Sequence, residues 1–584
     1  MRILKILKRI GIDILKKIYS LCLNILLFVA FLILIGLMVS KFSTTTEETI
    51  ETGTFVKLSF PNGIQEKALE KVPFGINKKS EKLNFYNILK SLEVMKDNKK
   101  VRGIIINLDS FNLTANHRTE LTKKLTEVKE SGKKIYAYGT FINNKSYEMA
   151  LLADEIIMPP SASTSFNLNG YYRNMGYYKN LGEKLGISFS IINTGDYKTY
   201  GEQYIKNGMS EELKEELKRI YDDNYMNFVK KVSFSKKMIF KDLNDDIEKG
   251  KYAVSSSLEA KKYNLIDGLF YYNEFLRMKN INEKKIISLT EFYRIEVKKK
   301  NISSKNKIAL IYAEGGIKMD DGNYSQIKDG VVPSVICSEI KKASKDKNVR
   351  GIVIRVNSPG GSALASQIIL KSIEEAQKKK PVYISIGNVG ASGGYYISSK
   401  GDKIFATENT ITGSIGVVLL IPNFENLSKK VGVEFDFIER GKYSGIYDVT
   451  KKMSTDEIEV LQKRAEAIYK EFKENVSEGR NINMDEVQKI AQGKVWLGKE
   501  ALEIGLIDEI GGLEETISGL AKDLKLKKYQ VMEYKKEFEY KDMIKKMIYD
   551  VKSEKIISGL FSSYEDVMEY SKKAVLLFPI RIER

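Results

Sequence analysis

Short apolar runs alternate with amphipathic stretches along most of the chain. GIIINL (103–108) and GIVIRV (351–356) have the continuous β-branched character of buried strands, and KKIYAYG (133–139) and KPVYISIG (380–387) predict one further strand each. SEELKEELKRIYDDNYMNFVKK (210–231) has the spacing of an amphipathic helix. Because strands and helices alternate, the pattern predicts an α/β fold built from βαβ units around a mainly parallel sheet.

The first 40 residues have a different pattern, in which basic positions precede an uncharged apolar run over 18–40. This run reaches the roughly 20 residues needed to cross a bilayer, and no small-x-small cleavage site cleanly follows it. The basic flank over 1–17 reads as an amphipathic helix on the inner leaflet and stays in the cytoplasm. We therefore expect a single transmembrane anchor over 18–40, with the rest of the chain outside the cytoplasm. A cleaved signal peptide is the alternative.

Beyond this segment the chain repeats itself at an offset of about 245 residues, which is the scale of a domain. Three blocks match in the same order: 96–110 with 345–358, 177–197 with 423–443, and 250–269 with 493–510. The duplication predicts two homologous domains, over 46–300 and 305–540. The remaining extension, 541–584, has no counterpart in the first copy, and its AVLLFPIRIER segment (574–584) could form a strand or a contact with a neighbour.

Composition adds mainly exclusions. The chain has 584 residues, and its net charge of +19 is spread as lysine throughout. This excess indicates a general lysine bias, with attraction to anionic lipid as the functional alternative. Nucleic-acid binding is not indicated, because no arginine-rich stripe with interleaved aromatic residues occurs. Cys22 and Cys337 are too few and too far apart for a disulfide framework, a CxxC motif or a Cys/His metal site.

The first candidate for chemistry is Ser392, within Gly-Ala-Ser-Gly-Gly (390–394), which has the small neighbours of a nucleophile on a tight turn. A serine hydroxyl needs an adjacent base, usually histidine. His117 is the only histidine in the chain. It precedes the serine, whereas hydrolases with such a turn have their histidine last. His117 also lies in a polar segment, TANHRTE, which predicts a surface position. Either Ser392 is structural or its base is another residue.

The two copies differ at three places that bear on this choice. The second copy ends its GIVIRV strand in a Gly360–Gly361 pair that the first copy lacks. Such a pair lets backbone N–H groups approach a ligand closely, as an oxyanion hole requires. Ser392 aligns with Asn144, and Lys198 of the first copy aligns with Ser444 of the second. One copy thus carries a serine and the other a candidate base.

Lysine accepts a proton only when it is neutral, so the pKa of Lys198 would have to be lowered by burial. Two acidic residues close in sequence, Asp196 and Glu202, would oppose that change in pKa if they faced the amine. We therefore expect both to point away from it.

At SPGGS (358–362), ASGGYY (391–396), TGSIG (412–416) and GDYK (195–198), the chain resembles bacterial signal peptide peptidases of the SppA type. The resemblance covers nearly the whole chain and fits the long, duplicated form. It implies two tandem Clp-protease/crotonase-like α/β domains behind an N-terminal transmembrane helix. It also implies a homotetramer on the outer face of the cytoplasmic (inner) membrane that degrades cleaved signal peptides and other apolar peptides.

The resemblance further assigns roles to individual residues of a Ser/Lys dyad serine endopeptidase. Ser392 is the expected nucleophile, Lys198 the general base, and Ser414 the hydroxyl that orients the lysine. Backbone N–H groups at Gly361 and Gly393 are expected to form the oxyanion hole. One active site per chain is expected, because Asn144 replaces the serine in the first copy. The resemblance implies no metal and no cofactor.

Three alternatives remain beside this interpretation. A crotonase-like acyl-transfer enzyme would use similar glycine-rich turns, but its CoA thioesters are cytoplasmic, which conflicts with the predicted anchor. A non-catalytic scaffold would be favoured if Ser392 were buried without an open groove. A histidine-dependent hydrolase is disfavoured by chain order. The sequence leaves open the preference for the substrate side chain and whether the dyad forms within one chain.

Overall fold

The structure is a computed structural model that describes residues 48–67, 83–298, 304–319, 330–534 and 575–577, with twelve positions between 17 and 35. The chain divides into two compact units, Met1–Ile50 and Glu51–Arg584. Within the described residues, no helix is both long enough and apolar enough to cross a membrane. The predicted basic segment and anchor lie mostly outside the described residues. The positions of the anchor that are described are helical and exposed.

The first half of the larger unit alternates strands and helices, as the sequence predicts. Its strands are β1 (Thr54–Phe60), β2 (Val101–Phe111), β3 (Lys134–Tyr138), β4 (Phe141–Asn143), β5 (Glu155–Met158), β6 (Ser165–Asn167), β7 (Ser188–Asn193), β8 (Gly268–Leu269) and β9 (Ile286–Ser288). Its α-helices are α1 (Phe85–Asp97), α2 (Ala115–Glu130), α3 (Asn144–Ala150), α4 (Lys179–Leu185), α5 (Glu211–Lys236), α6 (Phe240–Glu248), α7 (Ser257–Lys262), α8 (Tyr272–Met278) and α9 (Leu289–Phe292). Two short 3-10 turns (Glu202–Tyr204, Glu283–Lys285) and one π turn (Tyr293–Val297) complete this half.

The second half repeats the alternation. Its strands are β10 (Lys307–Glu314), β11 (Gly316–Ile317), β12 (Gly330–Val331), β13 (Val349–Ser358), β14 (Gly360–Ser362), β15 (Val382–Ala391), β16 (Lys403–Ala406), β17 (Ile411–Gly413), β18 (Val418–Asn423), β19 (Val495–Leu497), β20 (Glu509–Ile510), β21 (Gln530–Glu533) and β22 (Val575–Leu577). Its helices are α10 (Pro333–Lys345), α11 (Ala363–Gln377), α12 (Gly393–Ser398), α13 (Glu425–Lys430), α14 (Thr455–Arg480), α15 (Met484–Ile490), α16 (Gly498–Glu503) and α17 (Leu513–Asp523).

The duplication is visible in the sheets. The first half contains a parallel sheet in the order β8-β5-β3-β2-β1-β9. The second half contains its counterpart as the parallel strands β20-β16-β15-β13-β10-β21. The same sheet also includes β17, parallel to β15, and β19, antiparallel to β17. The two orders match strand for strand. The predicted α/β fold with tandem homologous halves is therefore present.

The central strands of both sheets are buried on both faces, which accounts for their continuous apolar sequences. The predicted amphipathic helix is α5, which begins at Glu211 because the side chain of Ser210 accepts a hydrogen bond from the backbone N–H of Leu213. The apolar face of α5 buries Leu213 and Leu217 against β15, β17 and β19 of the second half.

A further sheet joins the two halves, in the order β12-β11-β14-β22-β18-β7. Strand β7 of the first half pairs antiparallel with β18 of the second, from Asn193 opposite Val418 to Ser188 opposite Asn423. Between β14 and β18 lies β22, from the C-terminal extension, antiparallel to both. AVLLFPIRIER thus contributes a strand at 575–577, and most of 541–584 lies outside the described residues.

The prediction that His117 lies on the surface is wrong. His117 is on α2 and only 2% exposed, with Nε2 3.1 Å from Glu66 Oε1. Its neighbours on α2 face the second half, where Asn116 accepts a hydrogen bond from Thr407 and Glu120 pairs with Arg355. Asn116 and Glu120 are buried because their partners lie in the other half, whereas buried Arg118 pairs with Glu148 of the first half.

Candidate active site

Ser392 lies at the junction of β15 and α12. Its backbone has φ 55° and ψ −117°, a left-handed conformation that is unusual for a residue with a side chain. The Ser392 N–H donates to Gly413 O at 2.8 Å, and the Ser392 carbonyl accepts from the N–H of Tyr396 at 2.8 Å. A residue strained in this way on a strand–turn–helix is characteristic of a presented nucleophile.

Lys198 follows β7, and the β7–β18 pairing brings it from the first half to this junction. The side chain is fully buried, and Nζ lies 2.8 Å from Ser392 Oγ. Nζ also lies 2.9 Å from the carbonyl oxygen and 3.0 Å from Oγ of Ser414. A neutral amine fits these three contacts, since its two N–H groups can donate to the Ser414 oxygens while its lone pair accepts from the Ser392 hydroxyl. The contact between Ser392 and Lys198 forms within one chain.

Burial lowers the pKa of Lys198 well below its ordinary value, because the charged ammonium loses its hydration. Asp196 is exposed, and Glu202 binds the Ser210 N–H and Lys206, so both residues point away from the amine as expected. The carboxylate that opposes the lowered pKa of Lys198 is Glu216, on α5.

The sequence reasoning missed Glu216. Its side chain is buried, and burial raises its pKa to about 7. One available signal was its position on α5, where it shares the apolar face with Leu213, Leu217 and Ile220. Burying a carboxylate on the apolar face of an amphipathic helix is costly, and this cost marks Glu216 as a candidate functional residue.

Two glycines set how closely the Lys198 turn approaches the second half. A Cβ on Gly493 would lie 2.5 Å from the backbone nitrogen of Lys198, and one on Gly195 would lie 2.3 Å from Gln492 Cα. Both glycines have positive φ, of 83° and 91°. Backbone therefore packs directly on backbone, which is why glycine occupies both positions.

The two expected oxyanion residues are neighbours. A Cβ on Gly393 would lie 3.1 Å from the backbone nitrogen of Gly361. Gly361 has φ 150°, and a Cβ there would meet Ile317 O at 2.0 Å, so that position requires glycine. The N–H groups of Gly361 and Gly393 therefore lie on the segments that flank Ser392.

Ser392 itself is fully buried. The backbone of β22 runs along β14, with Leu576 opposite Gly361, so a strand of the same chain covers the segment next to the serine.

The position in the first half that is equivalent to Ser392 is Asn144, the first residue of α3. Tyr147, three residues after Asn144, donates its hydroxyl to Leu265 O, and Tyr395, three residues after Ser392, donates to Leu506 O. These matching bonds support the alignment of Asn144 with Ser392. The amide of Asn144 donates to Gly170 O at 2.7 Å.

The comparisons with known proteins agree with this geometry. The model of peptidase family S49 matches residues 127–285 and 374–527, which contain Lys198 and Ser392 respectively. The chain is 30% identical to Protease 4 of Haemophilus influenzae over 455 residues, covering 75% of this chain and 72% of that protein. It is 29% identical to Protease 4 of Salmonella typhi over 480 residues, covering 79% and 75%. It is 30% identical to the chloroplastic serine protease SPPA of Arabidopsis thaliana over 428 residues, covering 72% and 62%.

Proposed function

Because the chain belongs to peptidase family S49, as a serine protease of the SppA type, we propose that Ser392 and Lys198 form its catalytic dyad. The observation that carries this proposal is the 2.8 Å separation of Ser392 Oγ and Lys198 Nζ in a fully buried setting. Ser392 is fully buried, which by itself would favour a non-catalytic scaffold. Membership in the protease family nevertheless favours peptide hydrolysis over both the scaffold and the acyl-transfer alternatives.

The reaction begins when Lys198 Nζ takes the proton of the Ser392 hydroxyl while Oγ attacks the peptide carbonyl carbon. N–H groups at Gly361 and Gly393 stabilise the oxyanion, and Ser414 keeps the amine aimed at Oγ. The protonated amine then donates its proton to the leaving nitrogen, which breaks the peptide bond and leaves an acyl-enzyme. Water attacks the ester, its proton passes to Nζ, and the proton returns to Ser392 Oγ as the acid product leaves.

The substrates that we propose are apolar peptides in extended conformation, including released signal peptides. The support is the pairing of β22 with β14 and β18, because both strands accept an antiparallel neighbour through backbone groups. Such pairing binds a peptide with little dependence on its sequence.

The dyad is tested by peptide hydrolysis in purified Ser392→Ala and Lys198→Ala variants. Both are expected to lose turnover while keeping the unfolding temperature of the wild type. Two matched controls are available: Asn144→Ala, at the equivalent position of the first half, and Lys206→Ala, a half-exposed lysine close in sequence. Both controls should retain activity. Turnover retained in Lys198→Ala would refute the dyad.

The remaining proposals concern location and domains. Residues 18–40 anchor the chain as a single span in the cytoplasmic membrane, with the Clp-protease/crotonase-like domains over 46–300 and 305–540 outside the cytoplasm. The exposed apolar side chains at the described positions of this run, such as Leu26 and Phe28, support contact with lipid. Alkaline carbonate extraction should leave the full chain in the membrane fraction and release a chain that starts at residue 46. Release of the full chain would contradict the anchor.

We further propose that the chain is a homo-oligomer, a tetramer by the family resemblance. Residues 434–439 align with β7, yet they form no strand with any described residue, and Phe437 and Ile438 are exposed. The exposed apolar side chains of this segment, which alternate in part with acidic ones, are suited to contact with a neighbouring copy. Light scattering of a chain that starts at residue 46 should give four times the protomer mass, and Ile438→Glu should reduce it. A wild-type protomer mass would refute the assembly.

A further inference from the structure

Helix α5 binds both backbone polar groups of a single residue on β19. Glu216 Oε1 accepts the N–H of Val495 at 2.7 Å. One turn later, Arg219 donates to the Val495 carbonyl oxygen at 2.7 Å and also pairs with Glu500. A helix of the first half thus fixes the backbone of Val495 in the second half.

The residues that lead into Val495 connect the two parts of the site. The carbonyl of Gln492 accepts the N–H of Tyr197, next to Lys198, at 3.0 Å. The carbonyl of Lys494 accepts the N–H of Ser414 at 2.8 Å. The segment 492–495 therefore holds the Lys198 turn on one side and the Ser414 loop on the other.

We propose that Glu216 and Arg219 are positioning residues, which fix the segment 492–495 so that Lys198 and Ser414 stay within hydrogen-bond reach. This inference rests on the proposed dyad. Neither side chain is assigned contact with substrate. They act through the backbone of Val495.

The burial of Glu216 supports a functional role for its hydrogen bond with the Val495 N–H. The residue is 1% exposed, and its Oε2 has no hydrogen-bond partner among the described residues. An apolar side chain at this place would pack without the cost of burying a carboxyl group. Leu213 and Leu217 fill the neighbouring positions, so the carboxyl group is not needed for packing.

The electrostatic surroundings of Glu216 provide a second readout. Burial raises the pKa of Glu216 to about 7. The Val495 N–H, Arg219, Lys494 and Lys198 act in the opposite direction, because they favour the carboxylate. The carboxylate in turn raises the pKa of Lys198. Removing its charge should therefore move the acid limb of the rate profile to lower pH.

The test compares Glu216→Ala, which removes the acceptor, with Glu216→Gln, which keeps an acceptor for the Val495 N–H and removes the charge. We expect Glu216→Ala to lower kcat about 30- to 100-fold with KM within about 3-fold, the range for a displacement near 1 Å. Glu216→Gln should keep kcat within about 3-fold and shift the acid limb to lower pH. Glu211→Gln, on the exposed start of α5, is the matched control and should match the wild type.

The chain contains one tryptophan, Trp496, directly after Val495, so its fluorescence reports on this segment without any substrate. Its Nε1 donates to Ile490 O at 2.9 Å, which ties the ring to the segment. Acrylamide quenching should increase in Glu216→Ala and stay at the wild-type value in Glu216→Gln. Should Glu216→Ala fail to fold, Arg219→Ala removes the partly exposed member of the pair, and it should lower kcat about 10-fold with KM unchanged.

Wild-type kcat in Glu216→Ala, or equal losses in the Ala and Gln variants, would overturn the positioning role. Unchanged quenching together with reduced kcat would also overturn it, because the segment would then not have moved. Failure of the dyad itself is recognised by a different result, which is turnover retained in Ser392→Ala or Lys198→Ala. That result does not depend on the Glu216 variants. In that case the inference falls with the dyad.

Discussion

The close approach of Gly493 to Lys198 gives a sharp test of how finely the dyad is placed. In Gly493→Ala, the new Cβ would lie 2.5 Å from the Lys198 backbone nitrogen and 2.7 Å from its Cα and Cβ. Carbon contacts are relaxed near about 3.5 Å, so the Lys198 turn must retreat by about 1 Å. The Ser392 Oγ–Lys198 Nζ distance would then rise from 2.8 Å to beyond hydrogen-bond reach.

A misplacement of about 1 Å corresponds to about a 100-fold loss of kcat. The assay is steady-state hydrolysis of an apolar peptide, with thermal unfolding measured in parallel. The control is Gly432→Ala, where φ is 80° but nothing lies within 4 Å of the new Cβ. It isolates the backbone cost, about 1 kcal/mol of stability, and should leave kcat unchanged. Wild-type kcat in Gly493→Ala would refute the reasoning, because the turn would have absorbed the methyl group without moving the amine.

Five further outcomes are expected. Activity should rise with pH and reach its plateau below the ordinary lysine pKa, since burial favours the neutral amine of Lys198; a rate that reaches its plateau only at or above that ordinary value of 10.5 would contradict a desolvated amine base. Ser414→Ala should lower kcat about 10-fold, measured with the same peptide, because one of two contacts that orient the amine is lost while the backbone contact remains; an unchanged kcat would count against the orienting role. Arg355→Met should destabilise the protein by about 3 to 5 kcal/mol in urea unfolding, because buried carboxylates lose their partner. The Arg355 guanidinium and His117 hold the pKa of Glu66 at about 2. The stability that Glu66 contributes is therefore present above its ordinary pKa of 4.5 and is lost as the pH falls toward 2. Urea unfolding of Glu66→Gln at several pH values should lack this loss of stability at low pH. Deleting 541–584 removes β22 from the edges of β14 and β18 and should raise kcat/KM for extended peptides; an unchanged value would mean that β22 does not limit access.

The sequence predicted the repeated strands and the long helix well, because their periodicity depends on local burial. Strands predicted at 103–108 and 351–356 lie within β2 and β13, and the helix predicted at 210–231 is α5. The roles of Ser392 and Lys198 stay predictions, although the structure brings the two side chains together. What made Lys198 a candidate was the comparison of the two copies, in which each had lost what the other kept.

The errors and omissions have one physical origin. His117 was expected on the surface because its neighbours are polar, but those neighbours are buried by partners such as Arg355, 235 residues away from Glu120. Glu216 was missed for the same reason, since its partner Val495 lies 279 residues further on. Polarity in a sequence shows that a side chain needs partners, and it does not show whether those partners are water or protein.

The sequence by itself determined the alternation of strands and helices, the duplication, and the two side chains that could form a dyad in a chain with one histidine. These features depend on local patterns and on comparison of one copy with the other. Only the tertiary structure decided that β7 crosses to β18 and carries Lys198 to Ser392 within one chain. It also decided how strongly the amine is desolvated and which carboxylate acts on it, because burial and charge at a site depend on contacts between residues hundreds of positions apart.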